Sequence, residues 1–325
     1  MIITKTPLRV SLFGGGTDYP EYFNEHPTTV INATIDKYVY VMLNPRHDSK
    51  VRVAYSQTEI VNHTADLQHD LIRESLNLCN ITHGIEIATM ADIPGQGSGL
   101  GSSSAVTVGV LKALFKYIGK NYSQGYLANK ATEIEREHVK NGAGYQDQIA
   151  AEWGGLNIIN FGTTKKTPYN GYWQEGNHKT TWGHKFLLFF TGTTRKAQYI
   201  LQDMATNTAD NLDRLHAIRL IAEEAAVIIK SGRDLDRIGP LLDRSWQLKK
   251  HFAKGVSNPE IDTMYEDARA AGATGGKICG AGGGGYMLLY CPSEEIRTAV
   301  RSALRYYKEL PFNFSEKGSE VMYND

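Results

Sequence analysis

Apolar and polar residues alternate along Leu8-Arg9-Val10-Ser11-Leu12-Phe13, and residues 30–43 are dense in β-branched and aromatic side chains. Both patterns predict strands, so residues 1–60 read as β-rich. A helical spacing follows over 66–79, and Ile85, Ile87 and Thr89 predict a strand over 84–90. Helices are predicted over 103–118 and 123–140, and the turn Asn141-Gly142-Ala143-Gly144-Tyr145-Gln146-Asp147-Gln148 opens another. Phe186-Leu187-Leu188-Phe189-Phe190 has the unbroken apolar run of a buried strand. Helices over 196–205, 208–231, 236–252 and 259–271 are punctuated by Gly232, Gly239-Pro240 and Asn258-Pro259. Strands over 274–279 and 286–291, a helix over 293–307 and a strand within 312–322 complete the chain. Strands and helices interleave without a regular βαβ period, which favours an α+β class over a doubly wound sheet. At 325 residues the chain has the length of about two domains. The polar, aromatic and glycine-containing stretch 160–182 is the expected boundary, giving units 1–172 and 173–325.

Three glycine-rich segments interrupt these elements. The densest is Pro94-Gly95-Gln96-Gly97-Ser98-Gly99-Leu100-Gly101-Ser102-Ser103-Ser104-Ala105, followed at once by the apolar helix. Glycine lets backbone approach a ligand and adopt positive φ. A helix start with free amides is an anion site, and the expected anion is phosphate. This is not the common Gly-x-x-x-x-Gly-Lys-Ser/Thr loop, because no lysine follows the glycines. Nor is it Gly-x-Gly-x-x-Gly, since Ser102 stands where the third glycine belongs. The bland alternative, a flexible turn whose serines are simple helix caps, is disfavoured by the length of the loop and the well-patterned helix it leads into. The other segments are Gly14-Gly15-Gly16-Thr17-Asp18-Tyr19 and Gly280-Ala281-Gly282-Gly283-Gly284-Gly285.

Composition narrows the reading. Formal net charge is zero, which gives no basis for nucleic-acid binding. Cys79, Cys279 and Cys291 are scattered without metal-ligand spacing, as expected of buried thiols in a reducing compartment. No apolar run approaches membrane-spanning length, and no signal-type segment opens the chain. A cytoplasmic protein, without membrane or nucleic-acid partners, is the expectation; the sequence leaves monomer and homodimer open.

Taken in order, Pro7–Tyr19, the 94–105 loop and Lys277–Gly285 resemble the three motifs of the GHMP small-molecule kinases, across nearly the whole chain. The Gly-Gly-Gly-Thr-Asp form of the first motif and the Gly-Tyr-Gln-Asp-Gln turn are most similar to the D-glycero-D-manno-heptose 7-phosphate kinases of that superfamily. The resemblance implies an N-terminal domain of the ribosomal-S5-domain-2-like type and a ferredoxin-like C-terminal domain, with ATP and sugar meeting between them. It implies that Pro94, Gly95, Gly97, Ser98, Gly99, Leu100, Gly101, Ser102, Ser103 and Ser104 cradle the phosphates of ATP. Ser103 and Glu135 would ligate Mg²⁺, with Glu133 and Glu137 close enough in sequence to compete for that assignment. Asp147 would be the catalytic aspartate that orients the sugar hydroxyl and accepts its proton, with Arg9 as its partner. A guanidinium beside a carboxylate keeps it ionised, which suits positioning and electrostatics in a loose phosphoryl-transfer transition state. Asp18, flanked by Thr17 and Tyr19, would bind sugar hydroxyls, and Gly282, Gly283 and Gly284 would approach the substrate from the second domain. Residues 191–196 are a further candidate substrate loop.

Galactokinases carry Glu and His where this chain has Gly15 and Gly16. Two glycines remove an acid and open space, as a longer sugar ending in phosphate requires. The implied function is ATP-dependent phosphorylation of D-glycero-D-manno-heptose 7-phosphate at the anomeric C1 hydroxyl, in the making of nucleotide-activated heptose for surface polysaccharide. Arg46, Lys50, Arg52 and Arg195 are candidate holders of the 7-phosphate. The alternatives are a kinase of free heptose, fucose or galactose, a decarboxylase on the same fold, and a non-catalytic sugar sensor.

Overall fold

Twelve residues, Ile2–Phe13, form β1, and both faces of this strand are covered from Thr6 onward. Its polar residues Arg9 and Ser11 are therefore buried, each 5% exposed. The computed structural model describes residues 1–93, 97–162, 169–173, 182–194 and 211–325. The further strands are β2 (Thr28–Pro45), β3 (Val51–Ala54), β4 (Thr58–Val61), β5 (Ile85–Ala91), β6 (Leu156–Phe161), β7 (Tyr169–Trp173), β8 (Phe186–Phe190), β9 (Gly275–Ile278), β10 (Tyr286–Tyr290), β11 (Lys308–Glu309) and β12 (Glu320–Asn324). The helices are α1 (Pro20–Phe23), α2 (Asp70–Leu78), α3 (Ser102–Tyr117), α4 (Gln124–Glu133), α5 (Gln146–Trp153), α6 (Leu212–Ser231), α7 (Ile238–Lys249), α8 (Pro259–Ala270) and α9 (Glu294–Ala303). Helices and strands in two sheets make an α+β fold.

The first sheet runs β12-β1-β2-β5-β3-β4, with β6 and β7 continuing from β2. β1 and β2 pair antiparallel from Ile2 opposite Leu43 to Phe13 opposite Ile31, with a register shift after Pro7. Proline has no N–H to give the ladder, so a shift is expected there. α3 is buried on nearly every side and lies on β1. Gly109 makes this possible, because a Cβ there would stand 2.8 Å from Thr6 Oγ1. The second sheet runs β11-β8-β10-β9, with Leu188 opposite Leu288 at its centre. Its core of Phe189, Trp246, Met264, Met287 and Leu289 sits under α7, α8 and α9.

Both ends of the second half return to the first sheet. β7 pairs with β6, so the expected division between 172 and 173 falls inside a strand, whose position 173 is in register with Asn157. β12 pairs with β1. Lys112 pins that return by donating to Glu152 Oε1 at 2.9 Å and to the Ser319 carbonyl at 2.6 Å.

Three elements differ from their sequence patterns. The helix expected over 66–79 starts at Asp70, where His69 Nδ1 accepts from the Ile72 amide, after a separate 3-10 turn at Thr64–Asp66. The helix expected over 123–140 widens to a π-turn at Ile134–His138. The final strand lies at 320–324, beyond an isolated bridge between Ile35 and Phe314. The helix expected over 196–205 and the start of the one over 208–231 lie outside the described residues. Among the described residues no helix is long and apolar enough to cross a membrane. The three cysteines are buried and unbridged.

Candidate active site

The β1 backbone brings Arg9 under the start of α3, where its amide donates to the Leu100 carbonyl at 3.0 Å. Its side chain lies along Gly101, whose Cβ, if present, would stand 3.2 Å from Arg9 Cγ. The guanidinium forks onto Asp147, with Nε to Oδ1 at 2.7 Å and Nη2 to Oδ2 at 2.5 Å, while Nη1 donates to the Gly99 carbonyl at 2.7 Å. Burial opposes the charge on Arg9, and the Asp147 carboxylate overcomes it, so Arg9 stays cationic. Asp147 sits in the first turn of α5, with its side chain 21% exposed. Two residues 138 apart in sequence thus make one rigid pair.

Asp18 lies against this pair. It accepts from the Gly16 amide at 3.2 Å, and its Oδ2 accepts from the Gln146 amide at 3.3 Å and from Gln146 Nε2 at 3.1 Å. Gly144 is required above it, since a Cβ there would fall 2.1 Å from Asp18 Oδ2. Burial, reinforced by Asp147, raises the Asp18 carboxyl above its ordinary range. Asp18 therefore ties the first glycine loop to the Asp147 turn. The Thr17 hydroxyl is fully buried between the Gly14 carbonyl and Thr28 Oγ1, both at 2.8 Å, where it braces the loop. Tyr19 is half-buried, with the Arg136 guanidinium 5.5 Å from its ring centre.

The phosphate-type loop alternates left-handed glycines, with φ of 72° at Gly97, 74° at Gly99 and 75° at Gly101. Ser98 Oγ receives the Leu100 amide at 3.3 Å and lies 3.1 Å from Ser102 Oγ. Gly101 caps α3 without a side chain. The first intrahelical bond runs from Ala105 N–H to Gly101 O at 2.9 Å, so the amides of Ser102, Ser103 and Ser104 have no acceptor within the helix. Pro94 and Gly95 lie outside the described residues.

Ser103 Oγ stands 3.4 Å from Glu135 Oε2. The π-turn carries Glu135 inward, fully buried, where it also accepts from Gln148 Nε2 at 3.0 Å and Asn141 Nδ2 at 3.2 Å. Its partners are all uncharged, and burial raises its carboxyl despite them. The Ser103–Glu135 spacing is near the roughly 3 Å between adjacent corners of an octahedron with bonds of about 2.1 Å, the geometry Mg²⁺ prefers. Hard oxygens at that spacing beside a carboxylate short of a cation fit such an ion. Glu133 is instead engaged by Lys130 at 2.6 Å. Among the described residues no cluster of three or more His, Cys, Asp or Glu could hold a metal, so a cation here would draw its remaining oxygens from phosphate and water.

The run 280–285 packs on backbone of the chain itself. A Cβ on Gly280 would meet Gly99 Cα at 2.6 Å, and one on Gly285 would meet the Ser98 carbonyl at 2.6 Å. Gly282 faces the Val256 carbonyl, Gly283 donates to it at 2.8 Å, and Gly284 faces the Thr193 carbonyl. The expected substrate contacts Gly282, Gly283 and Gly284 are thus packed on the chain's own backbone. Thr191 hydrogen-bonds to Gly285 O, while 195 and 196 lie outside the described residues. Arg46 and Arg52 both pair with Glu86 on β5, two strands from β1.

Two lysines at the site were not anticipated. Lys277, on β9, donates to the Leu12 carbonyl at 3.3 Å, and Lys249, at the end of α7, donates to the Gly280 carbonyl. They are 2% and 5% exposed. The available signal was Lys277 itself, a charge inside the otherwise uncharged segment Gly275-Gly276-Lys277-Ile278-Cys279.

Residues 61–155 match the family model described as GHMP kinases N terminal domain, and 218–309 match GHMP kinases C terminal. The chain is a GHMP kinase. It is 31% identical to a D-glycero-alpha-D-manno-heptose 7-phosphate kinase of Campylobacter jejuni, over 98% of this chain and 97% of that one. It is 27% identical to a mevalonate kinase of Methanothermobacter thermautotrophicus, over 96% and 97% respectively. The fold matches a D-glycero-D-manno-heptose 1-phosphate kinase from Bacteroides thetaiotaomicron with a TM-score of 0.81 over the full length of both chains, at 23% identity. This GHMP kinase is a phosphotransferase with an alcohol group as acceptor and ATP as donor.

Proposed function

We propose that this GHMP kinase transfers the γ-phosphoryl group of ATP to the anomeric C1 hydroxyl of D-glycero-D-manno-heptose 7-phosphate, giving the 1,7-bisphosphate. What carries the reading is the Arg9–Asp147 fork, held between the phosphate-type loop and a first glycine loop that has no side chain at positions 15 and 16. The named activity of the Campylobacter relative supports the choice of sugar.

The loop amides of Ser102–Ser104 bind the donor phosphates. Ser103 and Glu135 would hold Mg²⁺, which would supply charge neutralisation for the phosphates. Both Asp147 oxygens accept from Arg9, so the carboxylate is fixed in orientation. It orients the acceptor hydroxyl and takes its proton as the O–P bond forms and ADP leaves. A carboxylate so paired contributes by positioning and electrostatics, which suits a loose transition state with little need for a strong base. Asp18, adjacent and already holding three N–H donors, offers its remaining lone pairs to sugar hydroxyls.

The test is ADP release with Mg-ATP over a panel of heptose 7-phosphate, free heptose, mannose, fucose, galactose, mevalonate and buffer alone, with Asp147→Asn beside the wild type. Turnover on heptose 7-phosphate that falls by about 10³ or more in the variant is expected. Turnover confined to another acceptor would replace the substrate. Bound ligand without any turnover would favour a sensor.

A further inference from the structure

Gly15 differs from its neighbours in what surrounds it. A Cβ built there would meet no backbone but three polar side-chain ends, Ser11 Oγ at 3.1 Å, Gln146 Nε2 at 3.8 Å and Lys277 Nζ at 3.9 Å. Ser11 Oγ and Gln146 Oε1 are buried and have no hydrogen-bond partner. Lys277 uses one of its three donors, on a carbonyl, and Lys249 likewise donates only to a carbonyl. Among the described residues neither ammonium lies within ion-pair distance of a carboxylate. The carboxylate of Asp147 is taken by Arg9, and that of Asp18 is taken by amides.

We infer that Lys277, with Ser11 beside it and Lys249 behind it, is the seat of the phosphate that the acceptor already carries, and that Gly15 is left without a side chain so that this phosphate can reach it. The inference rests on the sugar-phosphate reading above. A buried ammonium without a counter-charge is costly, and such groups are retained where an anion completes them. Burial, with Lys249 adding repulsion, holds the Lys277 amine down at about 7, and burial holds Lys249 at about 8. A dianion seated on Lys277 supplies the counter-charge that favours the charged form of both amines. A hydroxyl such as Ser11 Oγ donates well to a phosphate oxygen, and Gln146 Oε1 can accept from a sugar hydroxyl next to it. The same cations facing the transferring phosphoryl group would serve ATP instead. The position of Lys277 against Leu12 and Gly15, on the Asp18 side of the fork, favours the acceptor.

Two variants test this, Lys277→Met and Gly15→Glu. The second places a carboxylate on Lys277 and is sterically accessible, because Gly15 is not among the positive-φ glycines and only side-chain ends stand nearby. It decides the matter if Lys277→Met fails to fold. Each is assayed on heptose 7-phosphate and on free heptose, with KM for ATP measured alongside. The expected result is a KM for heptose 7-phosphate raised by at least about tenfold in both variants, and a fall of at least about tenfold in the phosphorylated-to-free ratio of kcat/KM. KM for ATP should move by less than about threefold. A ratio unchanged in Gly15→Glu and in folded Lys277→Met overturns the inference, as does a rise confined to KM for ATP. Wild-type enzyme that phosphorylates free sugar and ignores heptose 7-phosphate overturns the proposed function itself, and the inference with it.

Discussion

The glycines of the first loop and those of the run 280–285 answer different physical demands, although both segments read alike in sequence. In the run, the missing side chains make room for backbone. Gly280 rests on Gly99, Gly282 on Val256, Gly284 on Thr193 and Gly285 on Ser98. The contacts of Gly280 and Gly285 lock the phosphate-type loop to the second sheet. In the first loop, Gly14 faces the Thr29 carbonyl in the same way, but Gly15 faces Ser11, Gln146 and Lys277. A glycine against backbone is architectural. A glycine against polar side-chain tips leaves space that a ligand can use.

Alanine replacements sharpen that contrast most strongly. Gly99→Ala puts a Cβ 2.3 Å from the Cys279 carbonyl at a φ of 74°. It should cost more than about 3 kcal/mol, or prevent folding, through combined backbone strain and overpacking. Gly15→Ala should stay within about 1 kcal/mol of wild type. Urea unfolding of the pair measures both, and equal losses would erase the distinction.

A second, intermediate effect concerns the cation. Glu135→Gln keeps the shape and one of the two hydrogen bonds accepted from Gln148 and Asn141, but removes the charge facing Ser103. The Mg²⁺ concentration for half-maximal rate at fixed ATP should rise about tenfold. The same change in Glu133, which is paired with Lys130, should leave it in place.

A further effect is a pH slope in stability. The Lys277 amine sits at about 7 in the folded chain and near 10.5 when unfolded. Between those values the unfolded state binds more protons, so stability rises with pH on account of this group. The penalty is fully present below about pH 7 and fades as pH rises. Lys249, Arg9, Asp18 and Cys279 face Lys277, so the slope is read as a difference between wild type and Lys277→Met. The advantage of the methionine variant in apo protein should shrink from pH 7 to pH 9 in urea titrations.

Much of the frame was legible in the sequence because it depends on local periodicity. The alternation at Leu8–Phe13 and the apolar run at 186–190 became strands where expected. The pairing of Arg9 with Asp147 was legible only through resemblance, since no local pattern connects residues so far apart. The π-turn at Ile134–His138 was hidden because polar and apolar positions continue as in an ordinary helix, and yet it turns Glu135 inward. The buried hydroxyl of Thr17 and the backbone packed against the run 280–285 were not legible, because motif position says nothing of which way a hydroxyl points or what packs on a glycine. Lys277 was passed over because a lysine is normally solvated, and only tertiary structure reveals it to be enclosed.

Phosphoryl transfer to C1 is tested most directly by ³¹P NMR of heptose 7-phosphate incubated with Mg-ATP and wild-type enzyme, with Asp147→Asn as the control. The expected spectrum gains one anomeric phosphate signal coupled to H1 in step with ADP, while the 7-phosphate signal persists and the variant produces neither. ADP accompanied by inorganic phosphate alone, or a new ester at any other carbon, would contradict it.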